Sequence, residues 1–204
     1  MHRIETLILD YGEVLTHPQR GEDMRAMAGV LGVDEGAFRD AYWALRCDYD
    51  LGLPAAEYWG RTAASLGLPP VDEAQVAALV ACDIMSWTDY RDEMWEVARA
   101  FRARGGRTGL LSNGVPEIVE RIDIDRPLAA VFDVVVVSFQ VGLIKPDPAI
   151  YQHTLACLGA PPNTALFVDD REENVDAATA LGMQAIRFTG ASSVADVKAA
   201  LAID

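Results

Sequence analysis

Two kinds of hydrophobic pattern divide the chain. Ile4 to Leu9 (IETLIL) is a short apolar run dense in Ile and Leu, closed by Asp10, and reads as a buried strand. From about Glu22 to Val80 the apolar positions instead recur at helical spacing, in DMRAMAGVLG, EGAFRDAYWALRCDY, AEYWGRTAASLG and DEAQVAALVACDIM. Gly32, Gly67 and the Pro69-Pro70 pair punctuate these stretches as helix stops. Glu93 to Ala103 is a further helix, ended by Arg104-Gly105-Gly106.

Beyond that point short apolar runs alternate with amphipathic ones. Strands are expected at Thr108–Leu111, Val131–Ser138, Ala165–Val168 and Gln184–Phe188. Helices are expected at Pro116–Ile122, Asp147–Leu158 and Glu173–Leu181, and from about Val194 to the C-terminus. Strands alternating with helices of this length imply a parallel sheet with helices on both faces. The expected architecture is an α/β core, residues 1–16 and 89–204, interrupted after its first strand by an all-helical insertion, residues 17–88.

Composition narrows the function classes. Apolar residues are 51% of the chain and charged residues 24%, which suits a folded globular protein and excludes a disordered one. Lys and Arg number 17 against 31 Asp and Glu, a net charge of −14, so nucleic acid and anionic lipid surfaces are poor partners. The few residues between Arg3 and Asp10 are too short for a signal-peptide core, and no apolar stretch reaches the ~18–20 residues that span a bilayer. Cys47, Cys82 and Cys157 are widely spaced, with no CxxC. A cytoplasmic location is expected. His2, His17 and His153 show no metal-ligand spacing and read as structural or surface residues, with His17 near the start of the insertion.

Polar residues cluster where the strands end. The first strand runs into Asp10, the second into Ser112-Asn113, and Ala165–Val168 into Asp169-Asp170, while Lys145 follows the Val131–Ser138 strand by a short loop. Ligands of open parallel sheets bind at the carboxyl ends of strands, so these groups share one edge. Three close carboxylates cannot all stay ionised unpaired. Lys145 offsets one charge, and an all-oxygen donor set suits Mg²⁺ rather than Zn²⁺ for the rest. A cation, an ammonium and a hydroxyl together make a phosphoryl receptor, and a carboxylate beside them is a candidate nucleophile.

With these residues in place, LILDYGEVLT, LLSNG, the lysine of LIKPDPAIY and LFVDDREENVDAA resemble, in order, the four motifs of the haloacid dehalogenase-like hydrolase superfamily. The resemblance covers nearly the whole chain. It implies a Rossmann-like parallel sheet, with the helical insertion as a cap domain after strand one. It also implies a Mg²⁺-dependent phosphatase of small phosphorylated metabolites, acting through an aspartyl-phosphate on Asp10. Ser112 and Asn113, with the backbone at Asn113 and Gly114, and Lys145 would bind phosphate. Asp10, the Gly12 carbonyl, Asp169 and Asp170 would hold the metal, with Asn174 in support. A monomer and a homodimer are both compatible with it.

The chain departs from the pattern at Gly12, where the phosphatases carry a second Asp as general acid. Glu13, Thr16 or an insertion side chain could take that role. Two alternatives stay open: a metal-free 2-haloacid dehalogenase, against which the Asp169-Asp170 pair argues, and a catalytically impaired ligand-binding member. Of the insertion's aromatic group, Tyr42, Trp43, Tyr49, Tyr58 and Trp59, most are expected to pack between helices. One or two would face the substrate, with Arg46 as a partner for an acidic or phosphate-bearing group.

Overall fold

The computed structural model describes residues 3–203, so His2 lies outside the described residues. Five strands form one parallel sheet: β1 (Thr6–Leu9), β2 (Arg107–Ser112), β3 (Val134–Val137), β4 (Ala165–Asp169) and β5 (Gln184–Arg187), in the order β3-β2-β1-β4-β5. β1 is central, with Leu9 level with Leu110 on one side and Val168 on the other. Its four residues are all buried, which is why TLIL reads as a continuous apolar run and not as an alternating one.

Alternation along the strands sends side chains to two cores. Leu7, Leu9, Leu110, Leu166 and Val168 pack on one face with the buried sides of α6 (Asp92–Ala103), α7 (Pro116–Asp125) and α11 (Ala191–Leu201). Ile8, Leu111, Val136 and Phe167 pack on the other face with α9 (Pro148–Leu158) and α10 (Glu172–Ala180).

Between β1 and α6 the described residues form α1 (Gly21–Leu31), α2 (Glu35–Ala44), α3 (Arg46–Asp50), α4 (Ala55–Ser65) and α5 (Glu73–Ser86). Local chemistry sets their limits. Asp34 caps α2 by accepting from the Gly36 and Ala37 N–H groups, and Asp72 with Gln75 forms a capping box on α5. Gly32 ends α1 at φ 69°, a conformation that glycine adopts without strain. Phe38, Tyr42, Tyr49, Tyr58 and Trp59 fill the interior, with Tyr49 and Tyr58 stacked at 4.3 Å. The expectation for the aromatic group holds, with Trp43 the member left 46% exposed. The segments entering and leaving this helical stretch are joined by a Thr16–Tyr90 antiparallel bridge, by His17 N–H to the Asp89 carbonyl at 2.7 Å and by Arg91 N–H to the Leu15 carbonyl at 2.9 Å.

One strand is shorter than its apolar run. Val131–Ser138 yields only Val134–Val137, because Val131 caps a 3-10 turn at Leu128–Ala130 and Ser138 opens the one-turn helix α8 (Ser138–Val141). Asp133 separates the two parts by accepting from the Thr108 N–H at 2.9 Å and pairing with Arg102. The valines and Phe132 are apolar for packing in both conformations, so periodicity alone could not divide them.

Candidate active site

The strand ends meet as expected. Asp10 leaves β1 with its N–H donated to the Val168 carbonyl at 2.9 Å, which ties it to β4. The Lys145 ammonium, 4% exposed, uses all three donors: Asp10 Oδ1 at 2.7 Å, Asp169 Oδ2 at 2.7 Å and the Leu111 carbonyl at 3.0 Å. Its approach is fixed by Asn113, whose side chain accepts from the Lys145 N–H at 2.9 Å and donates to the Lys145 carbonyl at 3.0 Å. Asn113 spends its side chain on holding the lysine, while the phosphate contact expected of it is through its backbone. The Gly114 N–H, expected to help there, donates to Ser138 Oγ at 3.1 Å. Ser112 stands at the end of β2 and lines the cavity.

Asp10, Asp169 and Asp170 each offer a carboxylate oxygen within 4.8 Å of the others. Their surroundings differ. Asp169 is fully buried, and besides Lys145 it accepts from the Arg171 N–H and Asn174 Nδ2, both at 2.9 Å. Asp170 is half-buried and lines the cavity beside Asp10 and Gly12. Burial pushes the Asp10 carboxyl up to about 7, with Lys145 opposing and the two other aspartates adding to the rise. Asp170 is raised to about 6, first by burial and then by Asp169 and Glu13. Burial disfavours the Lys145 ammonium, but the Asp10 and Asp169 charges outweigh it and hold its pKa above the ordinary lysine value. The cluster is thus short of positive charge, and its all-oxygen donors fit a hard divalent cation.

The turn after Asp10 is tight. Glu13 adopts φ 55°, its N–H donates to Thr16 Oγ1 at 3.1 Å, and Val14 N–H reaches the Gly12 carbonyl at 2.6 Å. Thr16 is fully buried in this turn and does not line the cavity, whereas Glu13 does, as does Asp50 from the helical insertion. The place beside Gly12 is filled by Trp87, just past α5. A Cβ on Gly12 would stand 3.2 Å from Trp87 Cζ3 and 3.7 Å from Cη2. Trp87 is held by the Tyr11 hydroxyl donating to its carbonyl, by its own Nε1 donating to Tyr42 Oη at 3.4 Å, and by an edge contact with Trp43 at 6.4 Å. Nothing local in the sequence marks Trp87, because its role depends on how the helical stretch docks.

The cavity has a volume of about 510 Å³ and is walled by both parts of the chain, with Trp43, Arg46, Asp50 and Trp87 facing the strand-end residues. The docking is polar. The Ser138 hydroxyl that accepts from Gly114 also donates to the Asp50 carbonyl, and Tyr49 Oη donates to Glu117 Oε2 at 3.3 Å. Arg46 is already committed: Nε to Asp50 Oδ1 at 3.0 Å, Nη1 to Asp83 Oδ2 at 3.0 Å and to Tyr42 Oη.

A sequence profile of the haloacid dehalogenase-like hydrolases matches residues 4–182. The chain belongs to that family. It is 34% identical over 101 residues to a phosphoserine phosphatase of Thermus thermophilus, covering 47% of this chain and 41% of the relative. It is 28% identical over 190 residues to phosphatase MT3486 of Mycobacterium tuberculosis, covering 89% of this chain and 86% of that protein. The chain spans less than half the length of the first curated relatives it matches. Among solved structures, a HAD-like family hydrolase of Porphyromonas gingivalis superposes with a TM-score of 0.79 at 22% identity over the full length of both chains. That likeness speaks to the fold. No helix among the described residues is long and apolar enough to cross a membrane.

Proposed function

We propose that this chain is a Mg²⁺-dependent phosphatase of small phosphorylated metabolites, working through an aspartyl-phosphate on Asp10, with the helical stretch as a cap over the site. The observation that carries this reading is the Asp10–Lys145–Asp169 chain of 2.7 Å contacts opening, with Asp170 and Ser112, into the cavity between the strand ends and the helical stretch. The phosphatase names of two relatives support it.

Asp10 attacks phosphorus, the bond to the leaving oxygen breaks, and the departing alcohol takes a proton. Water then attacks the phosphorylated carboxylate and orthophosphate leaves. Lys145 holds the attacking oxygen in place and offsets charge on the phosphoryl group, while Asn113 and Asp169 hold Lys145. The Ser112 hydroxyl is a donor to a phosphoryl oxygen. Asp10, Asp170 and the Gly12 carbonyl would hold Mg²⁺, with Asp169 fixing the lysine behind them. The ion would supply the positive charge that three carboxylates and a dianionic phosphate lack. The cap excludes water from the phosphoryl site.

The test is a screen of phosphorylated metabolites with Mg²⁺ and with chelator, alongside one 2-haloacid. Phosphate release that chelation abolishes and Mg²⁺ restores is the expected result. Full activity in chelator, or halide release, would overturn it.

A further inference from the structure

The cavity continues past the phosphoryl site into an apolar recess beside α7. Its walls are Leu110, Ile118, Val119, Ile122, Leu128 and Val137, contributed by β2, α7, the 3-10 turn and β3. All but Val119 are at most 5% exposed. Protein interiors are close-packed, and open space lined by aliphatic side chains forfeits dispersion contacts, so a void here is a structural loss unless something fills it. The recess belongs to the same cavity as Asp10, Ser112 and Lys145, so a body attached to the group those residues hold can reach it.

The charged residues around the cavity point the same way. Besides Lys145, its cations among the described residues are Arg46 and Arg171. Arg46 lies between Asp50 and Asp83, and Arg171 is paired with Glu173. Arg46 is not left over for a second anionic group, Arg171 is shared with Glu173, and Glu13 adds negative charge to the lining. A substrate with a further carboxylate or phosphate would meet repulsion there.

Resting on the phosphatase reading above, we propose that the substrate is a phosphate monoester whose leaving group is an apolar organic body, seated in the recess beside α7. Hydrolysis breaks the P–O bond, releases the apolar alcohol with a proton from water, and leaves orthophosphate.

The test uses 4-alkylphenyl phosphates from phenyl to 4-hexylphenyl with the Mg²⁺-loaded protein. The leaving-group pKa is nearly constant across such a series, so the change in rate reads burial of the alkyl chain. kcat/KM is expected to rise by about two- to fourfold per methylene until the recess is full, the equivalent of moving each methylene out of water. Ile122→Phe should end the rise at a shorter chain. Binding of n-alkylphosphonates by calorimetry provides a second readout that needs no turnover, with affinity rising over the same lengths. A flat series and flat affinities, with phenyl phosphate still hydrolysed, would overturn the recess proposal and leave the phosphatase reading standing. Affinity that rises with chain length while no ester is hydrolysed would support the recess and overturn the reaction.

Discussion

Placing an aspartate at Gly12 is the most informative single change to this site. The family's phosphatases carry their general acid there, and such a group contributes about 10²–10⁴-fold when the leaving group needs a proton. Gly12 has no left-handed φ, so the obstacle to a side chain is space and not backbone conformation. The Cβ would meet the Trp87 ring at 3.2 Å, closer than ordinary carbon contact, and the carboxylate would need the volume the indole already fills. The indole is held against swinging aside by its Nε1 bond to Tyr42 and its edge contact with Trp43. Gly12→Asp alone is therefore expected to destabilise the protein by about 1–3 kcal/mol, the usual range for overpacking, and to gain little activity. At ~2–4 °C per kcal/mol for a chain of this size, the loss is visible in thermal melting. Gly12→Asp with Trp87→Ala opens the space, and kcat/KM for alkyl phosphates should rise by about 10²-fold over Trp87→Ala alone, with little change for 4-nitrophenyl phosphate. The assay is phosphate release across leaving groups of graded pKa for all four proteins. A wild type with no dependence on leaving-group pKa would show that Glu13 or another group already donates the proton. A single Gly12→Asp variant with full gain and unchanged melting would refute the steric argument.

Three further outcomes are expected. Asp10→Asn keeps the shape but removes the attacking charge, so turnover should fall to background while melting and phosphate-analogue binding persist; near wild-type turnover would exclude covalent catalysis at this position. Lys145→Met leaves two buried carboxylates without their shared cation, so activity should fall at least about 10²-fold and stability by about 3–5 kcal/mol at pH 8, as judged by kinetics and denaturant melts. Asp10 and Asp170 have carboxyls raised from 3.8 to about 7 and about 6, so the folded protein binds protons that the unfolded chain has released over that window. Metal-free protein should therefore lose stability as pH rises from about 4 to 7, with a lower Tm at pH 7.5 than at pH 5 in chelator; Mg²⁺ should narrow the gap, and the opposite order in chelator would contradict the assigned pKa directions.

Strand positions, and the residues that end them, were legible in the sequence because both faces of a parallel sheet are buried. Such strands stand out as short apolar runs, and the first polar residue after each falls on the ligand edge. Asp10, Ser112, Asp169 and Asp170 came to one place for that reason, and Lys145 joins them from the loop that follows β3 and α8. The helical nature of the insertion was equally plain, since period, caps and glycine stops are local. Tertiary structure decided what depends on contacts distant in sequence. Asn113 belongs to Lys145 and Gly114 to Ser138 because a loop 24 to 32 residues away folds back beneath them. Asp169 and Asp170, alike as neighbouring letters, separate into a buried anchor and a cavity-facing carboxylate because one lies within β4 and the other just beyond it. Arg46 reads as a free cation until α5 brings Asp83 to 3.0 Å. Gly12 reads as a missing acid until Trp87, 75 residues on, is seen to occupy its space. Periodicity and motif spacing report which face or edge a residue takes; only packing between elements fixes which neighbour completes its hydrogen bonds and fills its volume.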